Sequence, residues 1–572
     1  MPARPHHGVL NELPATRLSE LRASGGCSAV EIAEDCLRRI RLRESEVKAW
    51  AWIDPDQVLK QARARDAEPR RSLLHGIPVG IKDIIETCDL PTQFGSTIYR
   101  GHQAAVDAYC VSLLRRAGCV IMGKTETMEC AICHPARTHN PVNLAHSPGG
   151  SSSGSAAAVA DHMCPLALGT QAGGSIIRPA SCCGVVGFKA SYGLIGRAGI
   201  KPSAESLDTV GFLTRTPGDA ALLASVLIPP APGFAGADAR TMRIGLCRSP
   251  AWEAAETGTL SSVADAAGVL ASSGFDLCEF RLPRSFDGVA DAQSTVNLYE
   301  SCRAYSHEWT HFPEQISPTL RSRFEKGWSI PPEAYLAAQQ LLAACRQSMQ
   351  SIFSHYDVLI EPSAPGEAPV GLENAGDPVF NRIWTALHLP CVSLPVLRGA
   401  SGLPLGLQII GRMHADHKTI ACADLIQQRL VKPGLQPGIL PDGPVTGSIV
   451  VSGSLFAGRK STVAVGVQSD FGGLGSFANW SAVSTTFLDR LMKASAVPDS
   501  FLNDSPERVI MPAPTRFPEN ESTSLLSTRK TGFFASTPAA LEATFMTAET
   551  GNRLRGLNPS VSISAPERAT EI

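Results

Sequence analysis

The chain is short of charge. Only 18% of its 572 residues are Asp, Glu, Lys or Arg, and their net charge is −2. That balance excludes a disordered polyelectrolyte and offers no basic surface for gripping nucleic acid or an anionic membrane. No run approaches the 18 or so consecutive apolar residues of a membrane-crossing helix. Residues 1–25 carry charges and prolines throughout and contain no continuous apolar stretch of the kind a secretory leader needs, which points to the cytoplasm. In that setting the 16 cysteines read as reduced thiols, not as a disulfide framework. None lies beyond Cys422, so the last quarter differs in composition from the rest.

What is present is apolar and rich in turn formers. Hydrophobic residues make 44% of the chain, and 50 glycines with 42 prolines exceed the usual combined share of about 12%. At roughly 150 residues per domain, the length suggests three or four domains. Ser28 and Glu31 form a capping box, and Ile32, Cys36, Leu37 and Ile40 then recur on one face, so residues 9–50 read as helical. A β-rich segment follows at Pro78–Ile85, and a helical pattern from Ala104 to Arg116 leads through Gly118 into the apolar strand Cys119–Met122. The alternation continues at Pro165–Leu168, Arg243–Cys247, Leu260–Ser273 and Asp357–Ile360. The expected fold is α/β, with a large mixed central β-sheet covered by helices on both faces. After Leu430 the alternation stops. Residues 431–572 read as an appended segment of unknown role, poorly ordered in part, with Ile449–Val451 and Phe533–Phe534 as short apolar patches.

Three motifs match patterns whose physical context is missing. Gly118, Gly123, Lys124 and Thr125 spell a phosphate-binding loop, but the residues between the glycines form an apolar strand, where a flexible turn would be needed. Cys130, Cys133 and His134, with His139 and His146 nearby, resemble haem-attachment or zinc ligands, yet the spacing is irregular and no second CxxC exists. Gly150, Ser152 and Gly154 match a nucleophile elbow, but a polar, proline-containing loop precedes them, not a strand. No metal and no organic cofactor is expected.

The stretch from Ser147 to Gly187 differs in kind. Two Gly/Ser clusters, residues 147–155 and 169–175, sit among apolar segments that disfavour a plain linker. A Gly-Gly-Ser turn exposes successive N–H groups, so the amides of Ala172, Gly173 and Gly174, with that of Ser175, can converge as an oxyanion hole beside the Ser175 hydroxyl.

The chain resembles the amidase signature family of serine hydrolases. The resemblance rests on Gly76-Ile-Pro-Val-Gly-Ile-Lys-Asp83, on residues 118–125, on both Gly/Ser clusters, on Cys183-Gly-Val-Val-Gly187, on Asp208-Thr-Val-Gly211 and on Gly402-Leu-Pro-Leu-Gly-Leu-Gln-Ile-Ile-Gly411. It makes residues 1–430 one catalytic domain. It implies a triad of Lys82, Ser151 and Ser175, in which Ser175 attacks an amide carbonyl and Ser151 bridges it to a neutral Lys82 acting as base. It also implies a cis peptide before Ser151. Burial would have to lower the Lys82 pKa towards 7 or 8, and its flanks from Ile77 to Ile85 are suitably apolar.

Arg178, the triple serine at 151–153 and Gln171 are similar to the malonamidase branch, which implies that Arg178 grips a substrate carboxylate; an internal ion pair supporting the loop is the alternative. Ala172, Ala190 and Phe212 depart from the pattern without touching the triad. The function expected is hydrolysis of the carbon–nitrogen bond of a small amide through an acyl-enzyme on Ser175. The alternatives are a glutamine-dependent amidotransferase A-type subunit, which would need partner proteins, and a catalytically silent binding protein. Neither nucleic acid nor membrane is an expected partner, and a homodimer is compatible with this reading.

Overall fold

The computed structural model describes residues 9–230 and 242–431 and, beyond them, four short strands. The chain divides between Leu440 and Pro441 into two units.

The first unit is built on one eleven-stranded sheet. Its strands are β1 (Trp50–Ile53), β2 (Pro78–Lys82), β3 (Val120–Thr125), β4 (Leu166–Gln171), β5 (Val186–Lys189), β6 (Thr209–Thr214), β7 (Arg243–Arg248), β8 (Asp276–Arg281), β9 (Val358–Pro362), β10 (Cys391–Arg398) and β11 (Pro404–Gly411). They lie in the order β1-β3-β2-β4-β6-β5-β10-β11-β9-β7-β8. Pairing is parallel between β2 and each of β3 and β4, and between β7 and each of β8 and β9; the remaining pairs are antiparallel. The sheet is therefore mixed, as expected from the α/β alternation.

Every residue of β2, β3, β4, β6, β9 and β11 is buried. Strands covered on both faces lose the alternation of apolar and polar residues, which is why segments such as Val120-Ile-Met122 read as unbroken apolar runs. Edge strand β8 is the contrast, with no buried residue. Helices Ile177–Cys183 and Asp416–Leu430 both pack on β10 and β11, and helix Ser153–Ala160 packs on β4.

Local sequence sets the connections. Ser28 caps the helix Ala29–Val47, its Oγ accepting from the Glu31 amide at 3.0 Å while its own amide donates to the Glu31 carboxylate at 2.7 Å. The helix Tyr109–Ala117 ends on Gly118 at φ 86°, a left-handed turn that glycine adopts without penalty, and β3 follows. The apparent phosphate loop is thus a helix cap and a buried strand. Among the described residues, no helix is long and apolar enough to cross a membrane.

In the second unit, β12 (Ser448–Ser452), β13 (Thr462–Gln468), β14 (Ala478–Ser481) and β15 (Val509–Pro512) form an antiparallel sheet in the order β14-β13-β12-β15. The patch at Ile449–Val451 lies in β12, while Phe533–Phe534 lies outside the described residues.

Candidate active site

The parallel pairing of β2 with β4 matches Val79 to Leu166 and Gly80 to Ala167, so the carboxyl ends of the two strands lie side by side. Lys82 is the last residue of β2, and Thr170 and Gln171 close β4. Loops at the carboxyl ends of neighbouring strands are where α/β sheets build sites.

Lys82 is fully buried. Its amine donates to Ser151 Oγ at 2.9 Å, to Thr170 Oγ1 at 2.9 Å and to the Thr170 carbonyl at 3.4 Å. Burial pulls its pKa from the ordinary 10.5 down to about 7, against the opposing pull of the Asp208 carboxylate. Asp208 is itself pushed up to about 7 by burial, although the Ser203 and Ala204 amides donate to its Oδ2 at 2.7 and 3.0 Å.

Ser151 follows a cis peptide bond from Gly150 and precedes the helix Ser153–Ala160. Its neighbours in the triple serine have structural partners. Ser152 donates its amide to the Ser175 carbonyl at 3.1 Å, and Ser153 Oγ donates to the Gly149 carbonyl at 2.8 Å. The first of these contacts sets the Ser175 backbone against the Ser151 segment. Ser175 is half-buried, more accessible than Lys82 or Ser151. Lys82 and Ser151 thus touch directly, and Ser175 joins them through the backbone of Ser152.

The loop Ala172–Ser175 is pinned by its carbonyls. Gln293 Nε2 donates to the Ala172 carbonyl at 2.8 Å, Thr385 Oγ1 donates to that of Gly173 at 2.7 Å, and the Arg178 amide donates to that of Gly174 at 2.9 Å. Gln171 closes the turn, its Oε1 accepting from the amides of Ile176 at 2.8 Å and Ile177 at 3.0 Å. Gly174 is confined: a Cβ there would stand 2.7 Å from Pro378 Cβ and closer still to Asn381 Oδ1.

Arg178 is buried. Its Nε and Nη2 donate to the Gly150 carbonyl at 3.0 and 2.6 Å, and its Nη1 donates to the Gly376 carbonyl. Burial lowers its pKa to about 10, so it stays cationic at neutral pH. The guanidinium ties the Ser151 loop to the segment around Gly376.

The discarded motifs stay apart from this site. The Lys124 amine is buried against the Ile85 carbonyl at 2.6 Å and Thr92 Oγ1 at 2.5 Å, with Asp83 at 3.6 Å, so it does not project into a phosphate cradle. Among the described residues, the one group of His, Cys, Asp and Glu side chains close enough to share an ion is Cys88, Asp89 and Asp107, not the Cys130 to His146 set. Arg115 pairs with both aspartates of that group.

Four contributors were not foreseen from sequence. Thr170 lies inside the Gly/Ser region, but only the β2–β4 pairing shows that it meets Lys82. Asp208 stands in a motif of its own, yet its electrostatic reach to Lys82 depends on the fold. Gln293 and Thr385 come from helices Val289–Ala304 and Val379–Ala386, more than a hundred residues along the chain, where nothing local marks them.

The comparisons with known proteins agree with this architecture. The family model described as "Amidase" matches residues 31–420. The A-type chain of the glutamyl-tRNA(Gln) amidotransferase of Chloroflexus aggregans is 33% identical over 459 residues, covering 71% of this chain and 94% of that protein. Among solved structures, one titled as an amidase superposes with a TM-score of 0.68 at 26% identity, covering 73% of this chain and all of that one. The native peptide amidase from Stenotrophomonas maltophilia does so with a TM-score of 0.62 at 27% identity, covering 76% of this chain and all of that one. The chain belongs to the amidase family, a family of enzymes that act on carbon–nitrogen bonds.

Proposed function

We propose that the chain breaks the carbon–nitrogen bond of a carboxamide through an acyl-enzyme on Ser175, and that it does so as a glutamine-dependent amidotransferase A-type subunit. The observation that carries the chemistry is the buried Lys82 amine hydrogen-bonded to Ser151 at 2.9 Å. A lysine with its pKa near 7 is substantially neutral at physiological pH and can take a proton. In this mechanism Ser151 passes the Ser175 proton to Lys82 as Ser175 Oγ attacks the carbonyl carbon. Loop amides meet the developing oxyanion. Collapse of the tetrahedral intermediate breaks the carbon–nitrogen bond, and the proton returns through Ser151 to the leaving nitrogen. Water then hydrolyses the ester by the same route in reverse. Arg178, committed to the Gly150 and Gly376 carbonyls, supports loop positioning better than a grip on a substrate carboxylate.

The amidotransferase reading is favoured by the relative from Chloroflexus aggregans, which aligns over 94% of its own length. It makes partner chains part of the working assembly and the cytoplasm its setting. A second reading, an amidase acting alone on a small amide, is supported by the solved amidases. Under both, residues 1–430 form the catalytic domain and 431–572 an appendage. Ammonia release by the purified chain from glutamine and from a panel of aliphatic, aromatic and carboxylated amides tests the pair. Preference for glutamine supports the amidotransferase reading, and turnover of other amides with glutamine inert supports the stand-alone amidase. Folded protein that releases nothing from any of them, alone or with co-purified partners, contradicts both.

A further inference from the structure

We infer that Thr385 and Gln293 are positioning residues that aim the oxyanion-binding amides, holding them from the side of the loop opposite the reacting group. The inference rests on the acyl-enzyme reading and adds to it the groups that orient the loop.

In a planar trans peptide, C=O and N–H point in opposite directions. The Ala172 carbonyl shares a peptide with the Gly173 amide, and the Gly173 carbonyl shares one with the Gly174 amide. Fixing those two carbonyls on Gln293 and Thr385 therefore turns the Gly173 and Gly174 amides to the other side. Among the described residues, neither amide donates to another group of the chain. Glycine makes such fixing necessary, because without a Cβ a Gly-Gly pair has little preference for one peptide orientation over another.

The donor direction is determined by the network. Gln171 Oε1 accepts from the Ile176 and Ile177 amides, so the other end of its side chain must be the amino group. That amino group donates to Thr385 Oγ1 at 3.0 Å. The Thr385 hydroxyl proton then points to the Gly173 carbonyl, 2.7 Å away. Thr385 is buried with no freedom to choose another acceptor without breaking this chain. Gln293, also buried, reaches the next carbonyl from a separate helix. Two independent elements thus grip consecutive peptide planes.

The test compares Thr385→Val, Thr385→Ser and Gln293→Met with the wild type on whichever amide the panel shows to be turned over, reading kcat and KM separately. Thr385→Val removes the hydroxyl at nearly constant volume. It should lower kcat about 10- to 100-fold, approaching the loss seen when one oxyanion donor is deleted, with KM within about threefold. Thr385→Ser should restore kcat to within a few-fold. Gln293→Met, on the other helix, should give the same kcat-selective loss and keeps the test open if Thr385→Val does not fold. Wild-type kcat in Thr385→Val or Gln293→Met, or a loss that serine does not rescue, would overturn the inference while leaving the acyl-enzyme reading intact. A folded wild type with no turnover and no modification at Ser175 overturns both.

Discussion

If Lys82 is the base, activity should follow its titration. An ordinary lysine at 10.5 would be neutral in only about three molecules in ten thousand at pH 7, whereas one at about 7 is neutral in about half. The difference is roughly 5 kcal/mol of lost preference for the ammonium form, which burial supplies by stripping water from the amine. About a tenth of the molecules should carry the neutral amine at pH 6 and about nine tenths at pH 8, so kcat/KM should rise roughly tenfold across that interval and then level off. The perturbation is Asp208→Asn. Where Asp208 is ionised, above its own pKa of about 7, its charge holds the Lys82 pKa up, so its removal should move the midpoint to lower pH. The assay is the initial rate of ammonia release, or of active-site labelling, from pH 5.5 to 9 in both proteins at constant ionic strength. A flat profile, a midpoint above 9, or a midpoint that rises in Asp208→Asn would refute the reasoning.

Other perturbations separate the remaining parts. Gly174→Ala forces a methyl against Pro378 and Asn381, so the loop must shift; kcat should fall by at least about 100-fold, and unaltered turnover would show that the loop is not where the oxyanion binds. Arg178→Ala leaves the Gly150 and Gly376 carbonyls without their donor and should cost about 3 kcal/mol of stability, read by denaturant unfolding. Its selectivity for carboxylated over neutral amides should not change; selective loss of carboxylated substrates would instead place Arg178 on the substrate. Glu361, fully buried in β9, is pushed up to about 8 by burial while Trp384 and Gln408 donate to its Oε1. A carboxyl whose folded pKa lies above its unfolded value stabilises the fold at low pH and loses that contribution as pH rises. Between about pH 5 and 8 the Glu361 contribution to stability should therefore decline by a few kcal/mol, and Glu361→Gln should remove that share of the slope in pH-dependent unfolding.

Much of this arrangement was legible in the sequence because the site is assembled from contiguous stretches. Ser151 and Ser175 sit in Gly/Ser clusters whose composition suits close backbone approach, and the apolar residues around Lys82 announced its burial. The buried strands β3 and β4 were visible as apolar runs. Strands β5, β6, β10 and β11 were harder to place by pattern, since strands covered on both faces lack a period and their order depends on long-range antiparallel pairing. The same limit explains Gln293 and Thr385. Each is a single polar residue on a helix far along the chain, and its role exists only once the helix meets the loop. Arg178 shows a different limit: its chemistry suits a carboxylate and a carbonyl pair alike, and only the structure reveals the carbonyls it holds.

The central claim, that Ser175 is the nucleophile served by Ser151 and Lys82, is tested most directly by labelling the folded protein with a fluorophosphonate and mapping the modified peptide by mass spectrometry. The expected result is one adduct, on Ser175, abolished in Ser175→Ala and slowed by orders of magnitude in Lys82→Ala and Ser151→Ala. An adduct on another serine, or undiminished labelling of Ser175 without Lys82, would contradict the account.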